Sequence, residues 1–182
     1  MLLPGISSLD LASLGLLQRI LVTTDGTLTD MLAAAFLEPI ELVKLSVTIG
    51  RSPEPVPSLR VTTGATVMHR RIVLRGERSL VNYVYAETHI AADALAPAFR
   101  DELLAGNVPL GQLWLTHQLE TWKERPRVRR RPASDLARYL DINEDAELIE
   151  RNYRTFSGGA PVFDITEFFP LEFPNTVAAA CG

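Results

Sequence analysis

The sequence predicts an α+β fold: a single domain of residues 1–182 in which an antiparallel sheet carries helices mainly on one face. Two hairpins are legible, around residues 67–89 and 148–169. Their turns are too short for parallel crossovers, so the paired strands run antiparallel. Helical patterns separate them, and no linker is long enough to divide the 182 residues into two domains. The core is expected over about 17–170, with 171–182 as a loosely held tail.

The elements follow in chain order. Residues 8–17 carry Leu9, Leu11, Leu14, Leu16 and Leu17, with Ser8 placed to cap a helix. Asp25-Gly26-Thr27 is turn chemistry. Residues 29–36, including Ala33, Ala34 and Ala35, read as a second helix. Residues 43–49 alternate apolar and polar, the mark of a half-buried strand. Three prolines make 52–57 a loop. Residues 67–74 and 80–89 are rich in β-branched and aromatic side chains, with Arg75-Gly76-Glu77-Arg78 as the turn. Residues 96–104 and 109–122 read as helices. In the second, Leu110, Leu113, Trp114 and His117 share helical spacing, Pro109 suits a first turn and Pro126 a stop. Residues 134–140 form a short capped helix. Strands 148–156 and 161–169 flank Ser157-Gly158-Gly159-Ala160.

Composition narrows the function classes. Hydrophobic residues make up 47% and charged residues 22%, the balance of a globular chain rather than a disordered one. The net charge of −4 argues against a nucleic-acid-seeking surface. The longest apolar run is Met31–Leu37, far short of the about 20 residues that span a membrane. The N-terminus lacks the basic start of a secretory signal, so a cytoplasmic protein is expected. Cys181 is the single cysteine and can form neither an internal disulfide nor a cysteine zinc site. His69, His89 and His117 lack metal-motif spacing, and no metal is expected. Phosphate-loop, dinucleotide and nucleophile-elbow signatures are absent.

Among the candidates for chemistry, Glu167 is the most informative. It shares a strand face with Phe163, Ile165 and Phe169, so it points into a core or a pocket. A carboxylate there is paired or hydrogen-bonded, or its pKa rises, as in a prepared acid or base. A structural glutamate at a strand end is the plainer reading. Arg70, with Ile72 and Leu74, faces one side of its strand, while His69, Arg71 and Val73 face the other. An inward arginine clamps a ligand carboxylate; an outward one blunts a sheet edge. Glu87 and His89 share a face with Tyr83 and Tyr85, suited to a ligand site or to a solvated sheet side. His117 reads as a satisfied core histidine. Lys123–Arg131 holds six basic residues and one acidic, and reads as a solvated loop or as a magnet for an anion.

Four stretches in order carry a family resemblance: residues 20–32 (Ile-Leu-Val-Thr-Thr-Asp-Gly-Thr-Leu-Thr-Asp-Met-Leu), residues 69–76 (His-Arg-Arg-Ile-Val-Leu-Arg-Gly), Pro109-Leu110-Gly111, and residues 151–161 with 165–169. With these the chain resembles the chorismate pyruvate-lyases, or 4-hydroxybenzoate synthases, in particular their mycobacterial and cyanobacterial branch. The resemblance implies a small antiparallel sheet whose helices enclose a buried ligand. It implies conversion of chorismate to 4-hydroxybenzoate and pyruvate without metal or organic cofactor. The family's arginine for the ring carboxylate falls on Arg70 and its glutamate near the 4-hydroxyl on Glu167. A covering contact falls on Leu110. Thr27, Leu28 and Thr29 match the segment whose backbone approaches the carboxylate. Glu87, where enterobacterial members carry arginine, is the residue of the mycobacterial-like branch and joins the expected substrate-binding set. The enolpyruvyl carboxylate calls for a second cation, with Arg71, Arg75, Arg151 and Arg154 as candidates. The stretch 125–131 is more basic than in the family.

A rival expectation comes from the effector-binding domains of bacterial transcription regulators. These share the implied fold and an Arg-x-Tyr…Gly-x-Pro hairpin, here Arg151, Tyr153, Gly159 and Pro161. About 16 residues precede the first shared segment, too few for a DNA-reading domain, so the enzyme is the expectation.

Overall fold

The computed structural model describes residues 10–106 and 108–173. A 3-10 turn at Leu11–Ser13 leads into helices α1 (Leu16–Thr23) and α2 (Leu28–Phe36). Strand β1 (Ile40–Arg51) precedes the hairpin of β2 (Thr66–Gly76) and β3 (Asn82–Ala91). Next come helices α3 (Pro97–Ala105) and α4 (Leu110–Thr116), then strands β4 (Trp122–Lys123) and β5 (Arg127–Pro132). A one-turn helix α5 (Ala137–Leu140) precedes the second hairpin, β6 (Glu147–Ser157) and β7 (Ala160–Pro170). The strands form one seven-stranded antiparallel sheet in the order β1-β2-β3-β7-β6, with β4 and β5 both pairing along the outer side of β6. The two hairpins meet through β3 and β7, where Ala86 lies opposite Glu167 and Thr88 opposite Ile165.

Register decides which side chains share a face. Arg70 lies opposite Thr88, and Ile72 opposite Ala86. Arg151 lies opposite Glu167, and Tyr153 opposite Ile165. Arg70, Glu167, Arg151 and Tyr153 therefore project from the same side of the sheet. Two apolar clusters pack on that side. Leu21, Val22, Leu28 and Leu32 of α1 and α2 cover Leu74, Val84, Ile149 and Phe169. Phe99, Leu103 and Leu113 of α3 and α4 cover Met68, Ile90 and Phe163. Each fully buried leucine or phenylalanine contributes roughly 1.5–3 kcal/mol, so both helix pairs are firmly seated. On the other side, α5 covers only the end near Val73, Tyr85, Leu148 and Phe168. Helices thus pack mainly on one face, as the sequence predicts.

Several local expectations are corrected. The helix expected at 8–17 is a 3-10 turn capped by the Asp10 side chain, followed by α1; Ser8 lies outside the described residues. The helix expected over 109–122 ends at Thr116, where the polar His117–Gln118 turn exits it and Gln118 adopts a positive φ of 49°. Pro109 is its N-cap, and Pro126 lies beyond β4. Ser134 does not cap a helix: its φ is +48°, and a 3-10 turn leads into α5. The basic run at 123–131 is not a loop, because most of it pairs with β6. Leu171 and Phe173, expected in a loose tail, pack on the α1–α2 cluster.

Candidate active site

Between the two helix pairs the sheet face is left uncovered, and a cavity of about 730 Å³ opens there. That volume suits a small organic ligand. Arg70, Ile72, Leu74, Ala86, Thr88, Tyr153, Ile165 and Glu167 form its floor. The turn between α1 and α2 supplies one wall, with Asp25, Gly26, Thr27, Leu28 and Thr29. Pro109, Leu110, Gly111 and Trp114 supply the opposite wall, and Leu119–Lys123 borders the rim. The Pro-Leu-Gly stretch has a physical reason. A Cβ on Gly111 would lie 3.3 Å from Thr27 Cγ2, so glycine lets the two walls close on each other. Thr27 is the N-cap of α2 and its side chain makes no capping hydrogen bond. The first turn of α2, whose leading backbone N–H groups lack a side-chain cap, borders the cavity at Thr27, Leu28 and Thr29.

Arg70 is 3% exposed. Its Nη2 donates to the Val108 carbonyl at 2.7 Å and, weakly, to the Gly106 carbonyl at 3.5 Å. Its Nε has no partner among the described residues. Burial pushes the guanidinium down to about 10, which leaves it charged at neutral pH. The guanidinium thus ties down the segment between α3 and α4 and keeps a donor in reserve. It is not free of protein partners, as a purely ligand-paired arginine would be.

Glu167 is 6% exposed and each of its oxygens has one partner. Oε2 accepts from Arg151 Nη1 at 3.1 Å, and Oε1 accepts from the Tyr153 hydroxyl at 2.9 Å. An ionised carboxylate has about four acceptor sites, so both oxygens retain capacity for a ligand. Arg151, 2% exposed, also donates to the Thr24 carbonyl and so links the sheet to the α1–α2 turn. Burial raises the Tyr153 hydroxyl far above the ordinary tyrosine range, and the Glu167 charge adds to the rise, so it stays a proton donor.

Of the expected site residues, Arg70, Glu167, Leu110, Thr27, Leu28 and Thr29 all line the cavity. Two others are not brought there. Glu87 lies opposite Arg71 and Thr166, on the other side of the sheet, where it accepts a hydrogen bond from Tyr85. Arg154 lies opposite Asp164 on that same side, paired with Glu124 at 2.6 Å. Strand alternation forces both outcomes once Arg70 and Arg151 face inward. The shared face expected for Tyr83 and Tyr85 is also corrected. A register shift in the β2–β3 ladder breaks the alternation, and Tyr83 turns into the α1–α2 cluster to stack on Phe36. Arg71 and Arg75 face away as well, donating to Ser46 and Glu41. His117 has a partner as expected, 2.9 Å from Glu102 and edge-on to Phe99, but it is half-buried at the surface rather than in the core. Tyr153, Trp114 and Lys123 line the cavity without having been singled out as ligand contacts. Alternation from Arg151 could have found Tyr153. Lys123 had no alternation signal, only the charge of the run at 123–131, which reads as a solvated loop or a magnet for an anion. No cluster of three or more metal-ligating side chains occurs among the described residues.

Fold and cavity together define a class: an antiparallel α+β domain with a cavity of small-ligand size between its sheet and two pairs of helices. A family model described as "Chorismate pyruvate-lyase Rv2949c-like" matches residues 22–177, and the chain belongs to that family. The chorismate pyruvate-lyase of Mycobacterium leprae is 31% identical over 157 residues, covering 83% of this chain and 72% of that one. That of Mycobacterium tuberculosis (strain CDC 1551 / Oshkosh) is 31% identical over 158 residues, covering 83% and 78%. Among solved structures, PhnF from Mycobacterium smegmatis matches with a TM-score of 0.65 at 15% identity, covering 81% of this chain. This chain spans 64% of that PhnF chain. The effector domain of PhnF alone matches with a TM-score of 0.63, also at 15% identity, covering 80% and 88%. These two likenesses show a shared fold. Among the described residues no helix is long and apolar enough to cross a membrane.

Proposed function

We propose that this protein is a lyase that converts chorismate to 4-hydroxybenzoate and pyruvate. The observation that carries the reading is the presence of Arg70 and Glu167 on one floor of one cavity, at the positions the family resemblance marks for the carboxylate and the hydroxyl. Chorismate is a dianion whose ring carboxylate lies across the ring from its hydroxyl. Arg70 binds the ring carboxylate and fixes the ring's direction, assisted by N–H groups of Thr27, Leu28 and Thr29. The hydroxyl carbon then lies at the Glu167 end. There the ring loses the proton on that carbon, the neighbouring C–O bond breaks and the ring becomes aromatic. The leaving enolpyruvate takes up a proton at its methylene carbon to give pyruvate. Glu167 orients the hydroxyl or accepts the ring proton, with Arg151 and Tyr153 holding it in place. Leu110 and Trp114 exclude water from the reacting face.

Purified protein in EDTA-containing buffer is expected to form 4-hydroxybenzoate from chorismate, followed by absorbance. The shared fold with the PhnF effector domain favours one other reading, a ligand sensor. Chorismate left unchanged while 4-hydroxybenzoate binds tightly would support the sensor and overturn the lyase.

A further inference from the structure

We propose that Lys123 is the second anion-binding group of the cavity and selects ligands that carry two carboxylates. The identity of the dianion, chorismate, rests on the lyase reading above; the placement of the cation rests on the sheet.

The other expected cations are excluded by where they point. Arg71, Arg75 and Arg154 lie on the far side of the sheet with Ser46, Glu41 and Glu124. Arg151 is 2% exposed, and its guanidinium is held by Glu167 and the Thr24 carbonyl. Among the described residues, Arg70 and Lys123 are the cations that line the cavity.

Strand β4 explains how Lys123 gets there. It is two residues long, with Trp122 opposite Phe156 and Lys123 opposite Thr155. The Trp122 ring stacks on Phe156, centroids 4.1 Å apart, and fixes the strand. Alternation then turns the next side chain to the side shared by Thr155, Tyr153 and Glu167. Lys123 Nζ lies 5.6 Å from the ring centroids of both Trp114 and Tyr153. It donates to the Asp25 carbonyl at 2.7 Å, which occupies one of three N–H groups. No carboxylate among the described residues forms an ion pair with it. Burial and the nearby Arg151 charge depress its pKa and outweigh the opposing pull of the Glu167 and Asp25 carboxylates, neither of which pairs with it directly. A carboxylate bound in the cavity would supply the direct counter-charge.

Position agrees with the substrate's connectivity. The enolpyruvyl group sits on the ring carbon next to the one bearing the hydroxyl, so its carboxylate belongs at the Glu167 end. Lys123 is at that end: it lies over Tyr153, whose hydroxyl donates to Glu167.

Two unreactive aromatic probes isolate the effect. One is 3-(1-carboxyvinyloxy)benzoate; the other is 3-(isopropenyloxy)benzoate, with a methyl in place of the second carboxylate. Calorimetry on the wild-type protein should show the dicarboxylate binding about tenfold or more tighter. Lys123→Gln should bring the two affinities to within about twofold, mainly by weakening the dicarboxylate, whereas Lys123→Arg should keep most of the preference. Lys123→Met, which keeps an apolar stem against Trp114 and Tyr153, serves if the glutamine variant does not fold. A wild type that does not distinguish the probes overturns the proposal. So does a folded Gln or Met variant that keeps the preference, or one that loses affinity for both probes equally, since that is the signature of a structural lysine. If the preference is present but chorismate is not turned over, the lyase reading fails and Lys123 stands.

Discussion

Two buried carboxylates, Glu38 and Glu167, are 7% and 6% exposed. Glu38 sits between α2 and β1 and, among the described residues, is met by neutral donors. The Ser79 and Tyr83 hydroxyls donate at 2.7 Å each, and the backbone N–H groups of Arg78 and Ser79 at 3.0 Å each. Burial alone would raise its pKa, but these hydrogen bonds prevail and hold it at about 2. Glu167 has fewer donors, one of them a buried arginine, and it borders the cavity. Burial of a carboxylate is common to both. What separates a structural acid from a candidate working one is acceptor capacity left over beside open volume.

Four substitutions break or sharpen this contrast. Glu167→Gln should have the largest effect, a loss of about 10²–10⁴ in kcat, with a lowered melting temperature because the buried Arg151 loses its counter-charge. A role limited to orienting the hydroxyl would shift the loss from kcat to the product inhibition constant. Arg151→Met should come next, because it leaves Glu167 without its counter-charge. Urea unfolding should show a loss of ~3–5 kcal/mol, part of it recovered in the double variant with Glu167→Gln. Arg70→Ala should weaken 4-hydroxybenzoate binding about tenfold to a hundredfold by calorimetry. It should also lower the melting temperature, since the Val108 carbonyl loses its donor.

Glu38→Gln should be the mildest, costing about 1–3 kcal/mol of stability and leaving kcat unchanged. Its pH dependence has a definite sign. The folded-state pKa is depressed, so the wild-type contribution is complete above the ordinary value of 4.5 and is lost as pH falls toward about 2. Urea unfolding at several pH values should show that the glutamine variant lacks this acid-side loss.

Much of the sheet was legible because period-two alternation and turn chemistry are local. The hairpins β2–β3 and β6–β7 came from Val, Ile, Tyr and Phe flanking short turns, and the same alternation points Glu167 into a core or pocket. It leaves Arg70 open between two faces, and the family resemblance assigns it. What local pattern misses is pairing between distant segments. Lys123–Arg131 reads as loop because nothing nearby reveals β6 as its partner. Glu87 and Arg154 gave polar signals of the right kind, yet which face lines the cavity depends on the β3–β7 register. The bulge that turns Tyr83 inward is likewise a property of the paired strands, and it completes the cage around Glu38.

The most direct measurement is a proton NMR time course of chorismate with the wild-type protein, following substrate and both products in one tube. The site described here predicts 4-hydroxybenzoate and pyruvate rising together in equal amounts as chorismate disappears. Chorismate that persists unchanged, or gives a product retaining the enolpyruvyl group, would contradict it.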